Sequence, residues 1–253
     1  MGTRIGDTVN VDPRLFFELP GGGHALFTTR AHGNMSSVGG LDHEHGLRAR
    51  ELLRTQLGLR RLARGYQVHG TNVRCIHSDA DIPAPDTDAA QPPIKADGHA
   101  TGLPGIGVMA LAADCLPVAL GGDGAVAMVH AGWRGLAAGV LEEGVLALRA
   151  LGAQGHVAGI VGPGAGPCCY EVGPEVHAAL AASVTADPAV LAATPDTGGS
   201  PIDLRAIAHE RLHAAGVADI RDVAACTICN HRFYSHRRES TRAGRQAGIA
   251  WLV

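Results

Sequence analysis

The chain has 253 residues, with 21 Lys and Arg against 24 Asp and Glu for a formal charge of −3, and 46% hydrophobic against 18% charged residues. That composition belongs to a globular chain with a sizeable core and excludes a disordered one. The slight acidity is spread along the chain, which excludes the clustered basic surface that nucleic acid or an anionic membrane requires.

In chain order, residues 1–24 read as a lead-in to a single domain over residues 25–253. The first twenty carry Arg4, Asp7, Asp12, Arg14 and Glu18 with no continuous apolar core, unlike a secretory signal. A cytoplasmic location is therefore expected, in which the six cysteines are thiols or metal ligands and not disulfides. Residues 25–29 form a short strand, and residues 44–57 a helix with Leu47, Leu52 and Leu53 near one face. Residues 65–76 alternate Tyr66, Val68 and Val73 with polar partners, as a strand does. Pro83, Pro85, Pro92 and Pro93 among Asp81, Asp86 and Asp88 mark a surface loop over residues 79–93.

Residues 107–113 and 125–129 are short apolar runs on either side of Gly121-Gly122-Asp123-Gly124, and read as a hairpin buried on both faces. The segment from Val108 to Leu120 is the most apolar, but Asp114 and Pro117 interrupt it, and it falls short of the roughly 20 residues that cross a bilayer. A helix over residues 136–151 ends at Gly152, and residues 157–161 form a buried strand. Pro174 stands at a first helical position before residues 175–183. Asp203 caps a helix over residues 204–215 that stops at Gly216. Strands over residues 220–226 and 249–253 finish the chain. A hairpin in the core argues against an all-parallel doubly wound sheet, so an α+β fold with mixed sheets is expected.

Three segments carry chemistry. Tyr66-Gln67-Val68-His69-Gly70 puts a histidine near a strand, Ala113-Asp114-Cys115-Leu116-Pro117 puts a cysteine just past another, and Val129-His130-Ala131-Gly132-Trp133-Arg134-Gly135 repeats this with a second histidine. Two imidazoles and a thiolate make a three-ligand zinc site with its fourth position open, where bound water has a pKa of about 7. If residues 107–113 and 125–129 are hairpin partners, however, Cys115 and His130 meet only through a bend at residues 114–117. Spacing alone also leaves open a buried small thiol beside two hydrogen-bonded histidines. Cys226-Thr227-Ile228-Cys229 has no second cysteine pair at familiar zinc spacing and reads as structural. Cys168-Cys169 reads as buried, and His43, His45, His209 and His213 as solvated.

These segments, together with Gly162-Pro163-Gly164-Ala165-Gly166-Pro167-Cys168-Cys169-Tyr170-Glu171-Val172, Phe233-Tyr234-Ser235-His236-Arg237-Arg238 and Gly244-Arg245-Gln246, resemble the YfiH-type laccase-domain family. That family is also described as multicopper polyphenol oxidase-like, as purine nucleoside phosphorylase and as peptidoglycan editing factor. The resemblance implies a four-layer α/β/β/α sandwich and a metal, usually zinc, on His69, Cys115 and His130. Arg30 matches the family's N-terminal arginine, although residues 31–46 depart from its pattern.

The resemblance implies zinc-dependent phosphorolysis of adenosine, inosine, guanosine or methylthioadenosine, and leaves adenosine deamination open at the same site. Purine nucleoside and phosphate are the expected partners, with no nucleic acid or membrane, and the chain is expected as a monomer or homodimer. Arg30, Gln67, Trp133 and Arg134 are substrate-binding candidates, and Asp114 is a candidate for proton transfer, for orienting a ligand histidine or for capping a turn. Two alternatives accompany this. One is a cytoplasmic hydrolase of peptidoglycan precursors with Cys115 as catalytic thiol and His130 as base. The other is a copper-dependent polyphenol oxidase with Met109 or Met128 as axial ligand.

Overall fold

The structure is a computed structural model that describes residues 12–37, 43–83, 94–183 and 200–253. From the N-terminus come β1 (Phe16–Leu19), β2 (Gly23–Phe27), α1 (His43–Gln56), β3 (Arg61–Ala63), β4 (Val73–Ile76), β5 (Gly98–Thr101), β6 (Ile106–Ala112), β7 (Leu116–Gly122) and β8 (Ala125–Ala131). There follow α2 (Trp133–Ala138), α3 (Val140–Ala150), β9 (Val157–Val161), β10 (Glu171–Val172), α4 (Pro174–Ala181), β11 (Ser200–Pro201), α5 (Leu204–Ala214), β12 (Asp219–Asp222), α6 (His236–Glu239) and β13 (Gln246–Leu252). One sheet has the order β1-β2-β13-β6-β3 and the other β12-β9-β7-β8-β5-β4, with β10-β11 a separate ribbon. Both large sheets mix parallel pairs, β3 with β6, β4 with β5 and β12 with β9, with antiparallel ones. Of the expected lead-in, the described part supplies β1 and the start of β2. Most of the proline-rich loop, residues 84–93, lies outside the described residues.

Alternation along the central strands sets the layers. In β8, Ala125, Ala127 and Val129 face Leu136, Leu141, Leu148, Ile207 and Leu212 of the helices, while Val126 and Met128 face Phe27, Val108 and Ala250 of the opposite sheet. A strand covered on both faces reads as a continuous apolar run. On the far side, Leu53 and Leu57 pack on Leu26, Met109 and Trp251. The α+β fold is thus four layers, α/β/β/α, as the family resemblance implies. Close approach of the sheets requires Gly248, where a Cβ would lie 2.7 Å from Met128 Sδ and 2.9 Å from Pro117 Cβ.

Three expectations change. The turn at Gly122–Gly124 does close a hairpin, but its first arm is β7, and β6 lies in the other sheet. Pro117 hides β7 in the sequence. It is tolerated at the strand's start because pairing with β9 begins only at Val118. The pairing of Leu116 with Ala131 and of Pro117 with His130 then brings Cys115 beside the end of β8, and residues 113–115 become the crossing between sheets. The single helix expected over residues 136–151 is two, broken at Gly139, whose φ of +97° is left-handed. Of the strand expected over residues 65–76, only β4 forms, because the amides of residues 68–70 bind a carboxylate instead of a neighbouring strand.

His99 of β5 makes the acid limit of this fold predictable. It is 1% exposed, and neither ring nitrogen has a partner among the described residues. Burial, reinforced by the charge of Arg74, lowers its pKa to about 3. Between an unfolded value of about 6.5 and that folded value, the unfolded chain binds the extra proton, so stability falls as pH falls, by about 1.4 kcal/mol per unit from this group. Urea denaturation between those pH values is expected to show a slope shallower by about one proton in His99→Leu than in the parent. Equal slopes would remove His99 from the acid transition.

Candidate metal centre and adjoining cleft

His69, Cys115 and His130 converge from the loop before β4, the crossing between the sheets and the end of β8. Their ligand atoms all lie within 4.8 Å of one another, with the two imidazole rings 4.9 Å apart and inclined at 71°. His69 is exposed, Cys115 half-buried and His130 buried, so the group opens to solvent on the His69 side. Gly132 leaves the room, since a Cβ there would come within 2.9 Å of His69 Cδ2 and 3.0 Å of Cys115 Sγ. The donor set of two imidazoles and one thiolate, with no fourth protein donor in the group among the described residues, fits tetrahedral zinc with one open position.

Cys115 and His130 each favour the other's charged form. Burial alone would push the Cys115 thiol up, but His130 and His69 outweigh it and hold the thiol at about 6. Burial alone would push His130 down, but Cys115 and Asp97 outweigh it and raise the imidazole to about 9. A thiolate is the form a metal takes.

Asp97, absent from the sequence reading, organises both histidines. Its side chain is fully buried. Oδ1 accepts hydrogen bonds from His130 Nδ1 at 2.9 Å and from the His69 amide at 2.9 Å. Oδ2 accepts from the amides of Val68 at 3.1 Å and Gly70 at 2.8 Å. Placing the His130 proton on Nδ1 leaves Nε2 as the ligand atom, and the amide bonds hold the His69 turn at a φ of +59°. Burial works to raise the Asp97 pKa, but His130 and the amides outweigh it and keep the carboxyl below its usual range. The sequence holds no local pattern for this residue beyond an acid heading a short buried strand.

Asp114 has a φ of +92°. Its Oδ1 accepts from Thr227 Oγ1 at 2.7 Å and its Oδ2 from the Arg237 amide at 2.7 Å, while its carbonyl accepts from Ala165 N at 2.7 Å. It therefore ties the residue before Cys115 to the C-terminal loop. Left-handed backbone at a non-glycine residue costs on the order of 1–3 kcal/mol and gathers at functional sites. Among the described residues it occurs at His69, Asp114 and Ser240, the first two beside or within the metal group. Gln67 spends both ends of its amide on Leu111, donating from Nε2 at 2.7 Å and accepting at Oε1 at 2.8 Å, which fastens the His69 segment to β6. Arg30 donates from Nε to Phe233 O at 3.0 Å, pairs with Glu239 and lies 4.4 Å over the Tyr234 ring.

Beside the group runs a cleft of about 410 Å³ whose lining includes Trp133, Tyr170, Val176 and Arg237 together with the acidic Glu171 and Glu175. Arg134 lies 4.2 Å over Trp133 and Arg237 5.1 Å over Tyr170. Burial raises the Tyr170 pKa and the Cys115 charge adds to it, against the opposing charges of Arg237 and Arg134. Arg245, pushed down by burial, feels both Cys115 and Asp114. Tyr170, Arg237 and Arg245 stand inside the quoted motifs, yet nothing local in the sequence marks them as neighbours of Cys115.

Residues 21–253 match the family model described as multi-copper polyphenol oxidoreductase laccase. A purine nucleoside phosphorylase of Xylella fastidiosa is 38% identical over 243 residues, covering 92% of this chain and 88% of that protein. The purine nucleoside phosphorylase YfiH of Escherichia coli is 37% identical over 163 residues, or 63% of this chain and 65% of that one. The crystal structure of YlmD from Geobacillus stearothermophilus superposes with a TM-score of 0.83 at 27% identity, covering 97% and 98% of the two chains. Neisseria meningitidis NMB0706 gives 0.76 at 28% identity over 94% and 99%. Sequence, layer order and relatives agree, and the chain belongs to the YfiH-type laccase-domain family.

Proposed function

We propose that the chain is a zinc-dependent purine nucleoside phosphorylase. The observation that carries this reading is the open His69–Cys115–His130 group next to a cleft in which two aromatic rings each bear a guanidinium; the names of the relatives support it. In phosphorolysis, a phosphate oxygen bonds to the ribose C1′ as the bond from C1′ to the purine nitrogen breaks, giving free base and ribose 1-phosphate. A zinc ion held by His69, Cys115 and His130 would supply a Lewis acid there.

The chain's own residues do the rest. Arg134 and Arg237 place positive charge where a dianion must approach. Trp133 and Tyr170 offer flat faces to a purine. Asp114 holds Arg237 and Thr227, Gln67 holds the His69 segment, and Arg30 holds the loop from Phe233 to Glu239. Zinc is favoured over copper because Met109 packs in the α1-side cluster and Met128 between the sheets, and because no group of several histidines, as a trinuclear copper site needs, occurs among the described residues.

Incubating the zinc-loaded protein with adenosine or inosine, with and without phosphate, and separating bases from nucleosides tests this. Free base formed only when phosphate is present is the expected result. Inosine formed from adenosine without phosphate would add deamination at the same site. No free base from protein shown to carry zinc at Cys115 would overturn the phosphorylase reading.

A further inference from the structure

The four remaining cysteines near the C-terminal loop gather into one cluster. The sulfurs of Cys168, Cys169, Cys226 and Cys229 all lie within 4.8 Å of one another, so the second pair missing from the sequence around Cys226 and Cys229 is supplied across the fold by Cys168 and Cys169. We propose that these four thiols bind a second, structural zinc ion that clips the loop before β10 to the loop after β12.

The distances suit an ion. With zinc–sulfur bonds of about 2.3 Å, the edges of a tetrahedron of thiolates are about 3.8 Å. Cys168 Sγ and Cys229 Sγ stand 3.9 Å apart, near that edge and far from the roughly 2.05 Å of a disulfide. The backbone is shaped for a thiolate as well. Cys226 Sγ accepts the Gly166 amide at 3.3 Å, a backbone donor aimed at one of the four sulfurs. A Cβ on Gly166 would come 3.1 Å from Cys226 Cβ and 3.5 Å from the sulfurs of Cys168 and Cys226, so glycine keeps this wall of the cluster clear. Contrary to the sequence expectation, Cys168 is exposed, as is Cys229, while Cys169 and Cys226 are half-buried. The exposed pair gives an ion a way in.

The cluster also backs onto the first metal group. The loops meet in a parallel bridge between Gly164 and Cys226, and Thr227 N donates to Gly164 O at 2.9 Å. Thr227, inside the Cys-x-x-Cys turn, bonds the Asp114 carboxylate, and Tyr170, next to Cys169, lines the cleft. An ion here fixes the residue before Cys115 and one wall of the cleft together.

Metal analysis of the full chain, purified under reducing conditions and loaded with zinc, tests the site independently of any nucleoside activity. The wild type is expected to hold two zinc ions, Cys115→Ser one, and Cys168→Ser or Cys229→Ser one. Cobalt bound to Cys115→Ser is expected to show the strong sulfur-to-cobalt charge transfer and intense visible bands of a tetrahedral four-thiolate site, a readout that leaves the cluster unmutated. A single ion in the wild type that disappears in Cys115→Ser would overturn the proposal. So would two ions retained in both Cys168→Ser and Cys229→Ser, or cobalt in Cys115→Ser without thiolate bands.

Discussion

Replacing Asp97 by alanine is expected to strip the first metal group and to destabilise the fold by about 3–5 kcal/mol, the range for leaving a buried charged partner uncompensated. The change orphans the His130 Nδ1 proton and the amides of Val68, His69 and Gly70 together. Nothing then holds His69 in its left-handed turn. Asp97→Asn separates the two roles. It keeps the size and one acceptor but must aim an NH₂ at a donor, and it no longer carries the charge that holds the His130 Nδ1 proton and makes Nε2 a more basic ligand. Such neighbours of metal ligands are worth about 10–100-fold in affinity, so competition with a chromophoric chelator should find zinc bound 10–100-fold more weakly in a chain that still folds. Wild-type affinity in Asp97→Asn would show that the carboxylate only shapes the turn.

What the sequence discloses is uneven for physical reasons. Most helices and the doubly buried strands announce themselves through periodicity and caps, because those signals lie within a few residues of one another. Asp203, for example, caps α5 by accepting the amides of Arg205 and Ala206. β7 is obscured because Pro117 is a strand breaker, tolerated only by its place ahead of the β9 pairing. His69, Cys115 and His130 are legible as residue types able to bind zinc, but the hairpin that the sequence favours would have kept Cys115 from His130. The true register, with Pro117 opposite His130, brings the two together. Asp97 is silent because its four bonds reach two other segments. Cys168 and Cys169 meet the Cys-x-x-Cys turn only because the Gly164–Cys226 bridge carries one loop to the other.

Cys115→Ser is expected to lose one zinc ion per chain and to lower kcat/KM for phosphorolysis by about a thousandfold or more, the scale on which an electrostatic stabiliser of a reaction centre acts. The serine hydroxyl does not ionise near neutral pH and is a poor substitute for a thiolate held at about 6. Its size matches a half-buried thiol, but in chelator it leaves His130 without its thiolate partner, so the metal-free variant is expected to melt below the metal-free parent. The same variant also loses activity if Cys115 is a nucleophile, and the chelator distinguishes the cases. A thiolate bound to zinc has its electron pair engaged in the metal bond and cannot attack, so the two roles respond to metal in opposite directions. Under the metal reading, chelation abolishes turnover of the wild type and zinc restores it, with Cys115 protected from alkylation by the ion. Under the nucleophile reading, chelation preserves or raises turnover, zinc inhibits, and alkylation of Cys115 ends it. Turnover that survives removal of the ion and then disappears on alkylation would assign the chemistry to the sulfur itself.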